Sequence, residues 1–111
     1  MFRRAAAALL VAYAHVGVGA VAQESLADQV CGQMGELAFQ VMTTRQEGVA
    51  MSAMRSKLLE GQSGLAHDMI AGIISSAYEE PRYNVQENKE AAAADFRNDF
   101  EVECFKSFSG S

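Results

Sequence analysis

The sequence predicts an all-α fold, a small bundle of three main helices plus one short helix, with the first and last helices joined by a disulfide. Apolar residues recur at steps of three and four through most of the chain after residue 25, which is the period of a helix. The chain has a single proline, whereas a sandwich or barrel needs turn signals about every 8–12 residues. With 111 residues, 50% of them hydrophobic, there is room for one core, and wholesale disorder is not expected.

The N-terminal segment has the pattern of a secretory signal peptide. Residues 1–4 contain two arginines, and residues 5–22 contain no Lys, Arg, Asp or Glu. The small residues Ala20 and Ala22 stand at the two positions that a signal peptidase reads through small pockets. We therefore predict cleavage between Ala22 and Gln23.

Cleavage at that point divides the chain into a leader, residues 1–22, and a single helical domain, residues 23–111, whose last residues 107–111 fray. The alternative is a retained membrane anchor, because the uncharged stretch reaches the lower limit of length for spanning a bilayer. The glycines within that stretch and the cleavage site favour removal, and no stable membrane insertion is expected afterwards. The formal net charge of −5 becomes more negative when the two N-terminal arginines are lost, which argues against a nucleic-acid partner.

Two cysteines, Cys31 and Cys104, remain after cleavage. An exported chain with an even number of cysteines usually forms disulfides, and here one pairing exists. By the chain-entropy estimate, closing so long a loop stabilises the fold by roughly 4.4 kcal/mol. The alternative is a redox-active or metal-binding pair, but there is no C-x-x-C motif and no histidine or further cysteine nearby in sequence.

The first helix is predicted over residues 25–45 and ends before Gly48. Gly32 and Gly35 interrupt it, at a cost of about 1 kcal/mol each relative to alanine. Alternatively, these two glycines allow a neighbouring helix to pack closely.

The second helix is short, and Ser52 is predicted to cap its start. It ends at Gly61, where residues 61–64 form the clearest loop of the sequence. The third helix, the most apolar segment, follows over residues 65–77 and is ended by Pro81.

The fourth helix is predicted to follow residues 84–87 and to run to about Lys106. Phe96, Phe100 and Cys104 are spaced by four and lie on one of its faces. Pairing of the two cysteines requires this helix to run antiparallel to the first. The two phenylalanines should then pack against Met34 and residues 37–38.

Few residues carry recognisable chemistry. There is no phosphate-binding glycine loop and no Gly-x-Ser-x-Gly motif. His67 and Asp68 are adjacent and should point about 100° apart, so we read the histidine as solvent-facing or as a pH-responsive group. Asp95, Asp99 and Glu103 form an acidic stripe that is either a solvated face or a site for a divalent cation or basic partner. No enzymatic activity, cofactor or metal is therefore expected.

A partner-binding surface is predicted from two groups of residues. Methionines bind apolar partners adaptably, and Met51 and Met54 in the short helix are expected to be the exposed ones, although methionine at this spacing also fills cores. Tyr78, Arg82 and Tyr83 surround the end of the third helix. Their rings either cover the edge of the core or form a ligand-facing aromatic cluster.

The layout resembles small uncharacterised exported helical proteins of proteobacteria. These carry a signal peptide, one early and one late cysteine, and a segment similar to residues 77–82 here, and the resemblance covers most of residues 25–106. It implies no known activity. A looser, architectural similarity is to periplasmic acid-stress chaperones, which are small, helical and held by one disulfide.

Three classes of function follow from these observations. We expect an exported, non-enzymatic helical protein, periplasmic or secreted, that binds a macromolecular partner in the cell envelope. The alternative is an acid-responsive periplasmic chaperone, since the 14 acidic residues lose charge near about pH 4. The third class, a small hydrolase or metal-dependent enzyme that uses carboxylates alone, is the least supported.

Overall fold

The structure is a computed structural model that describes residues 18–109, with side chains described from residue 26 onward. Within that range the chain is all-helical, in the order α1 (Val18–Gln46), α2 (Met51–Leu59), α3 (Gly64–Glu79) and α4 (Gln86–Phe108). The predicted fold class is confirmed, with one short helix among three longer ones. The first 17 residues of the predicted leader and the last two residues of the tail lie outside the described part of the chain.

The helix ends differ from the predictions in three places. First, α1 already begins at Val18, so its backbone runs helically through the predicted cleavage site, whose side chains lie outside the described residues. Second, Ala50 and not Ser52 is the N-cap of α2, because the Met54 N–H donates to the Ala50 carbonyl at 3.1 Å and places Ser52 inside the first turn. Third, α4 continues to Phe108, two residues beyond the predicted end at about Lys106.

The two longest helices, α1 and α4, pack antiparallel. Cys31 near the start of α1 is joined to Cys104 near the end of α4, with 5.5 Å between their Cα atoms. Two turns further along α1, the guanidinium of Arg97 lies 5.1 Å from the centre of the Phe39 ring. Residues further along α1 therefore meet residues earlier on α4, as they do in an antiparallel pair. The predicted disulfide and antiparallel pairing are confirmed.

Gly35 is the point of close approach between these helices. A Cβ added to Gly35 would lie 2.7 Å from the Cγ of Glu101 on α4. A Cβ added to Gly32 would meet nothing within 4 Å. The expectation that the glycines of α1 let a neighbour pack closely is confirmed for Gly35 and is wrong for Gly32.

All four helices contribute to one core. Its buried members are Ala38, Val41, Met42, Met54, Ile73, Ile74, Ala77, Ala93 and Phe96. The Phe96 ring lies edge-on to Phe100, with 5.0 Å between ring centres. Phe100 and Met34 are partly buried against this core, as the antiparallel arrangement predicted.

The exposure predicted for the methionines of α2 is wrong. Met54 is 6% exposed and belongs to the core, and Met51 is partly buried against it. The reason is that α2 packs on α3 and turns its methionine face inward. Met69 of α3, by contrast, is 38% exposed.

Candidate functional site

An apolar groove opens between the middle of α1, the middle of α3 and the second half of α4. Its volume is about 490 Å³, within the range of about 300–1,000 Å³ that is usual for ligand sites. Its apolar walls include Val30, Met34, Met69, Ile73, Phe100 and Phe108. Three helices far apart in sequence thus form one apolar depression.

The groove presents large apolar side chains to solvent. Met69 is 38% exposed and Phe108 is 48% exposed. Leu65, one turn before Met69 on the same face of α3, is 75% exposed and extends the apolar surface beyond the groove. Contiguous apolar surface of this kind marks interaction sites more often than single exposed residues do.

The disulfide forms part of the groove wall. Cys104 is half-buried and lines the groove, whereas Cys31 is fully buried behind it. The bond therefore fixes the two walls supplied by α1 and α4 relative to each other. The disulfide, which was predicted to stabilise the fold, therefore also shapes the candidate site.

Gly72 keeps the groove open. It lies on the α3 wall, is exposed, and a Cβ added there would meet no heavy atom within 4 Å. Glycine inside a helix costs about 1 kcal/mol relative to alanine. A side chain added at this position therefore begins in open space on the groove wall.

The rim of the groove is acidic. Asp68 on α3 and Glu103 on α4 line it, with side chains 80% and 75% exposed. The ammonium of Lys106 lies 3.8 Å from Glu103, and His67 Nδ1 lies 3.4 Å from Asp68 Oδ1. The expectation that His67 and Asp68 point apart is wrong, because their side chains bend toward each other, and the His67 side chain is only 38% exposed.

Two of the residues predicted to form a partner surface make internal contacts at the end of α3. The Tyr78 hydroxyl donates a 2.6 Å hydrogen bond to the Val49 carbonyl, and the Arg45 guanidinium lies 5.0 Å from the centre of its ring. Burial raises the pKa of Tyr78 above its ordinary value, an effect that the nearby Arg45 charge partly offsets. Arg82 Nε donates a 3.0 Å hydrogen bond to the Gln46 carbonyl. These contacts join α1 to the segment around Pro81, as expected for rings that cover the core edge.

Gln46 is a key residue that sequence reasoning missed. It is 1% exposed, and its Nε2 donates to the Pro81 carbonyl at 2.9 Å. Its Oε1 accepts a 2.8 Å hydrogen bond from the backbone N–H of Tyr83, which is itself 37% exposed. The one available signal was its position four residues after Met42, which places a polar residue on the buried stripe of α1.

The acidic stripe of α4 is divided between two sites. Asp95 and Asp99 line a small cleft with Tyr83, while Glu103 faces the groove. Across residues 26–109, no cluster of three or more His, Cys, Asp or Glu side chains is arranged to hold a metal ion. Likewise, between residues 18 and 109 no helix is long and apolar enough to cross a membrane.

Comparison with known proteins yields no match: no family model fits the chain, and no curated protein or solved structure is significantly similar to it.

Proposed function

We propose that this is an exported, non-enzymatic helical protein of the cell envelope that binds a macromolecular partner in the groove between α1, α3 and α4. The observation that carries the proposal is the apolar groove itself, with Met69 and Phe108 exposed at its mouth. Leaving such side chains in water forgoes about 25 cal/mol for each Å² of apolar surface that burial would remove. A partner that covers them recovers this free energy as affinity.

Export is supported by two features. Disulfides persist in oxidising compartments, and the Cys31–Cys104 bond joins the ends of the described bundle. The N-terminal pattern of two arginines, an uncharged stretch and small residues at 20 and 22 is that of a signal peptide. We therefore propose a periplasmic or secreted location.

A photo-crosslinking amino acid placed at Met69 tests the binding proposal in cells. We expect it to give a discrete adduct in the envelope fraction, and the same probe at Ala91, which is exposed elsewhere on α4, not to give it. Gly72→Leu should abolish the adduct, whereas Gly32→Leu, a matched change at an open helical glycine outside the groove lining, should preserve it. Identical patterns from both probe positions would refute the proposal.

The second candidate function is an acid-responsive chaperone. The specific observation in its favour is that acids border exposed apolar surface: Asp68 and Glu103 at the rim, with His67 and Lys106 beside them. Neutralising the carboxylates makes the rim less polar and the apolar area larger. A client-aggregation assay at pH 3 and pH 7 tests this: suppression at pH 3 alone supports it, and no suppression at either pH removes it.

A further inference from the structure

We propose, resting on the function above, that the partner presents a cationic amphipathic helix to the groove. The first argument is the shape of the apolar surface along α3. Leu65, Met69 and Ile73 repeat every four residues along one face of α3 over about 12 Å. Leu65 and Met69 are exposed, whereas Ile73, only 1% exposed, lines the groove from the core. A helix that docks in a groove contributes side chains at i, i+3 or i+4, and i+7, which span the same length.

The second argument is the charge of the rim. Asp68 stands on the α3 wall and Glu103 on the α4 wall, so a helix lying between them has a carboxylate on each side. Both side chains are largely exposed, and their present partners, His67 at 3.4 Å from Asp68 and Lys106 at 3.8 Å from Glu103, are surface contacts that a cation of the partner can replace. Lysine or arginine flanking the apolar face of the partner would pair with them.

The same charges disfavour the other occupants of an apolar groove. A second copy of this chain carries a net charge of −5, so its approach brings acid to acid. A fatty acid or anionic lipid would place its own negative charge against the carboxylates of the rim. A basic, apolar segment of another protein is the occupant whose charge and apolar character both fit.

Gly72 sets the register of the docked helix. It stands four residues after Asp68, on the same face of α3, with open space above it. An apolar side chain of the partner seated over Gly72 places a residue one turn away beside the Asp68 carboxylate. Gly72 and Asp68 would thus contact neighbouring side chains of the same partner helix.

The test uses the purified, disulfide-bonded protein and two labelled 14-residue peptides with the same leucine pattern, one with lysine and one with glutamate at every polar position. A neutral dye, N-phenyl-1-naphthylamine, reports on the groove independently of charge. We expect the lysine peptide to bind at least about tenfold more tightly than the glutamate peptide at low salt, with the difference shrinking as salt is added. Gly72→Leu should weaken both the lysine peptide and the dye, whereas Gly32→Leu should weaken neither.

The charge variants complete the test. Asp68→Asn combined with Glu103→Gln should reduce the preference to within about twofold while leaving dye binding intact. Asp95→Asn combined with Asp99→Asn removes the same charge from α4 outside the groove lining and should preserve the preference. The cationic-helix proposal is wrong if this control loses the preference for the lysine peptide to the same extent. It is also wrong if the two peptides bind equally to the wild type. In either case, dye binding that Gly72→Leu weakens would still show that the groove binds ligands.

Two further results are decisive. If Gly72→Leu changes neither peptide nor dye binding, the groove is not a binding site, and the proposed function fails together with this inference. If sedimentation shows a dimer that Gly72→Leu dissociates, the occupant is a second copy and the cationic-helix proposal is wrong.

Discussion

The side-chain Oε1 of Gln46, at the end of α1, accepts a 2.8 Å hydrogen bond from the backbone N–H of Tyr83, in the connection between α3 and α4. The same carboxamide donates to the Pro81 carbonyl. One buried side chain therefore satisfies a donor and an acceptor of a segment that has no helix of its own to do so. This pair of bonds fixes the path of the chain into α4.

Gln46→Leu should destabilise the protein by about 1–3 kcal/mol, because it removes the partners of two backbone groups while keeping an apolar stem in the core. For a domain of this size we expect the thermal midpoint to fall by about 4–8 °C for each kcal/mol. Chemical and thermal unfolding followed by circular dichroism measures this. Gln40→Leu, at an exposed position on the same helix, is the matched control and should change the free energy of unfolding by less than about 0.5 kcal/mol. If the two variants lost equal stability, the role assigned to Gln46 would be contradicted.

Cys31→Ser combined with Cys104→Ser should cost several kcal/mol, up to the roughly 4.4 expected from loop entropy, and lower the thermal midpoint by well over 10 °C. The intact protein, measured without reductant, should be lighter than its reduced form by about two hydrogens. Two free thiols in protein isolated from the periplasm would be incompatible with the disulfide. An unchanged unfolding midpoint in the serine variant would show that the bond contributes nothing to stability.

Alanine should have opposite effects at the two glycines of α1. Gly32→Ala should stabilise the protein by up to about 1 kcal/mol, because the space there is open and alanine favours the helix. Gly35→Ala should destabilise it, because the new Cβ displaces the Glu101 side chain at the interface with α4. Unfolding by urea measures both, and a stabilised Gly35→Ala variant would mean that the Glu101 side chain moves aside at no cost. Glu101→Ala in the Gly35→Ala background should restore stability if the side chain is the obstacle.

Stability should fall at alkaline pH through Tyr78. Burial raises the pKa of this tyrosine in the folded state, so folding favours the protonated hydroxyl that donates to the Val49 carbonyl. The resulting stabilisation is fully present below the ordinary tyrosine pKa of about 10 and is lost as the pH rises through the higher folded value. Urea midpoints measured from pH 8 to pH 11.5 should drop more steeply for the wild type than for Tyr78→Phe. Parallel curves would show that Tyr78 does not contribute.

Processing should leave Gln23 as the first residue of the exported protein, because Ala20 and Ala22 form the best small-x-small site. Intact-mass analysis of periplasmic or secreted protein measures this. Ala22→Leu should block cleavage by removing one of the small residues. A wild-type chain that retains Met1 in the membrane fraction would favour the anchor interpretation instead.

The sequence predicted those features that depend on neighbouring residues. Helical periodicity located all four helices, and Gly48, Gly61 and Pro81 fall in the three connections between them. The disulfide followed from the number of cysteines and the predicted compartment, and it in turn predicted the antiparallel pairing of α1 and α4.

Other features that depend on how the helices pack against each other could not be predicted from the sequence. Met54 is buried because α2 packs against α3. The sequence of a nine-residue helix does not by itself show which of its faces makes that contact. Gln46 has the composition of a surface residue, and its burial depends on backbone groups 35 and 37 positions away. The groove draws its walls from three helices, so no single segment carries a recognisable pattern for it.

The Cys31–Cys104 bond also turns most of the bundle into a covalent ring that contains both inner helices. The turn around Gln62, between α2 and α3, is exposed and is the kind of site at which proteases nick folded domains. A single cut there opens the ring without releasing any fragment, because the two pieces stay joined through sulfur. While the bond is intact, proteases must therefore cut twice between Cys31 and Cys104 before any part of the ring can diffuse away.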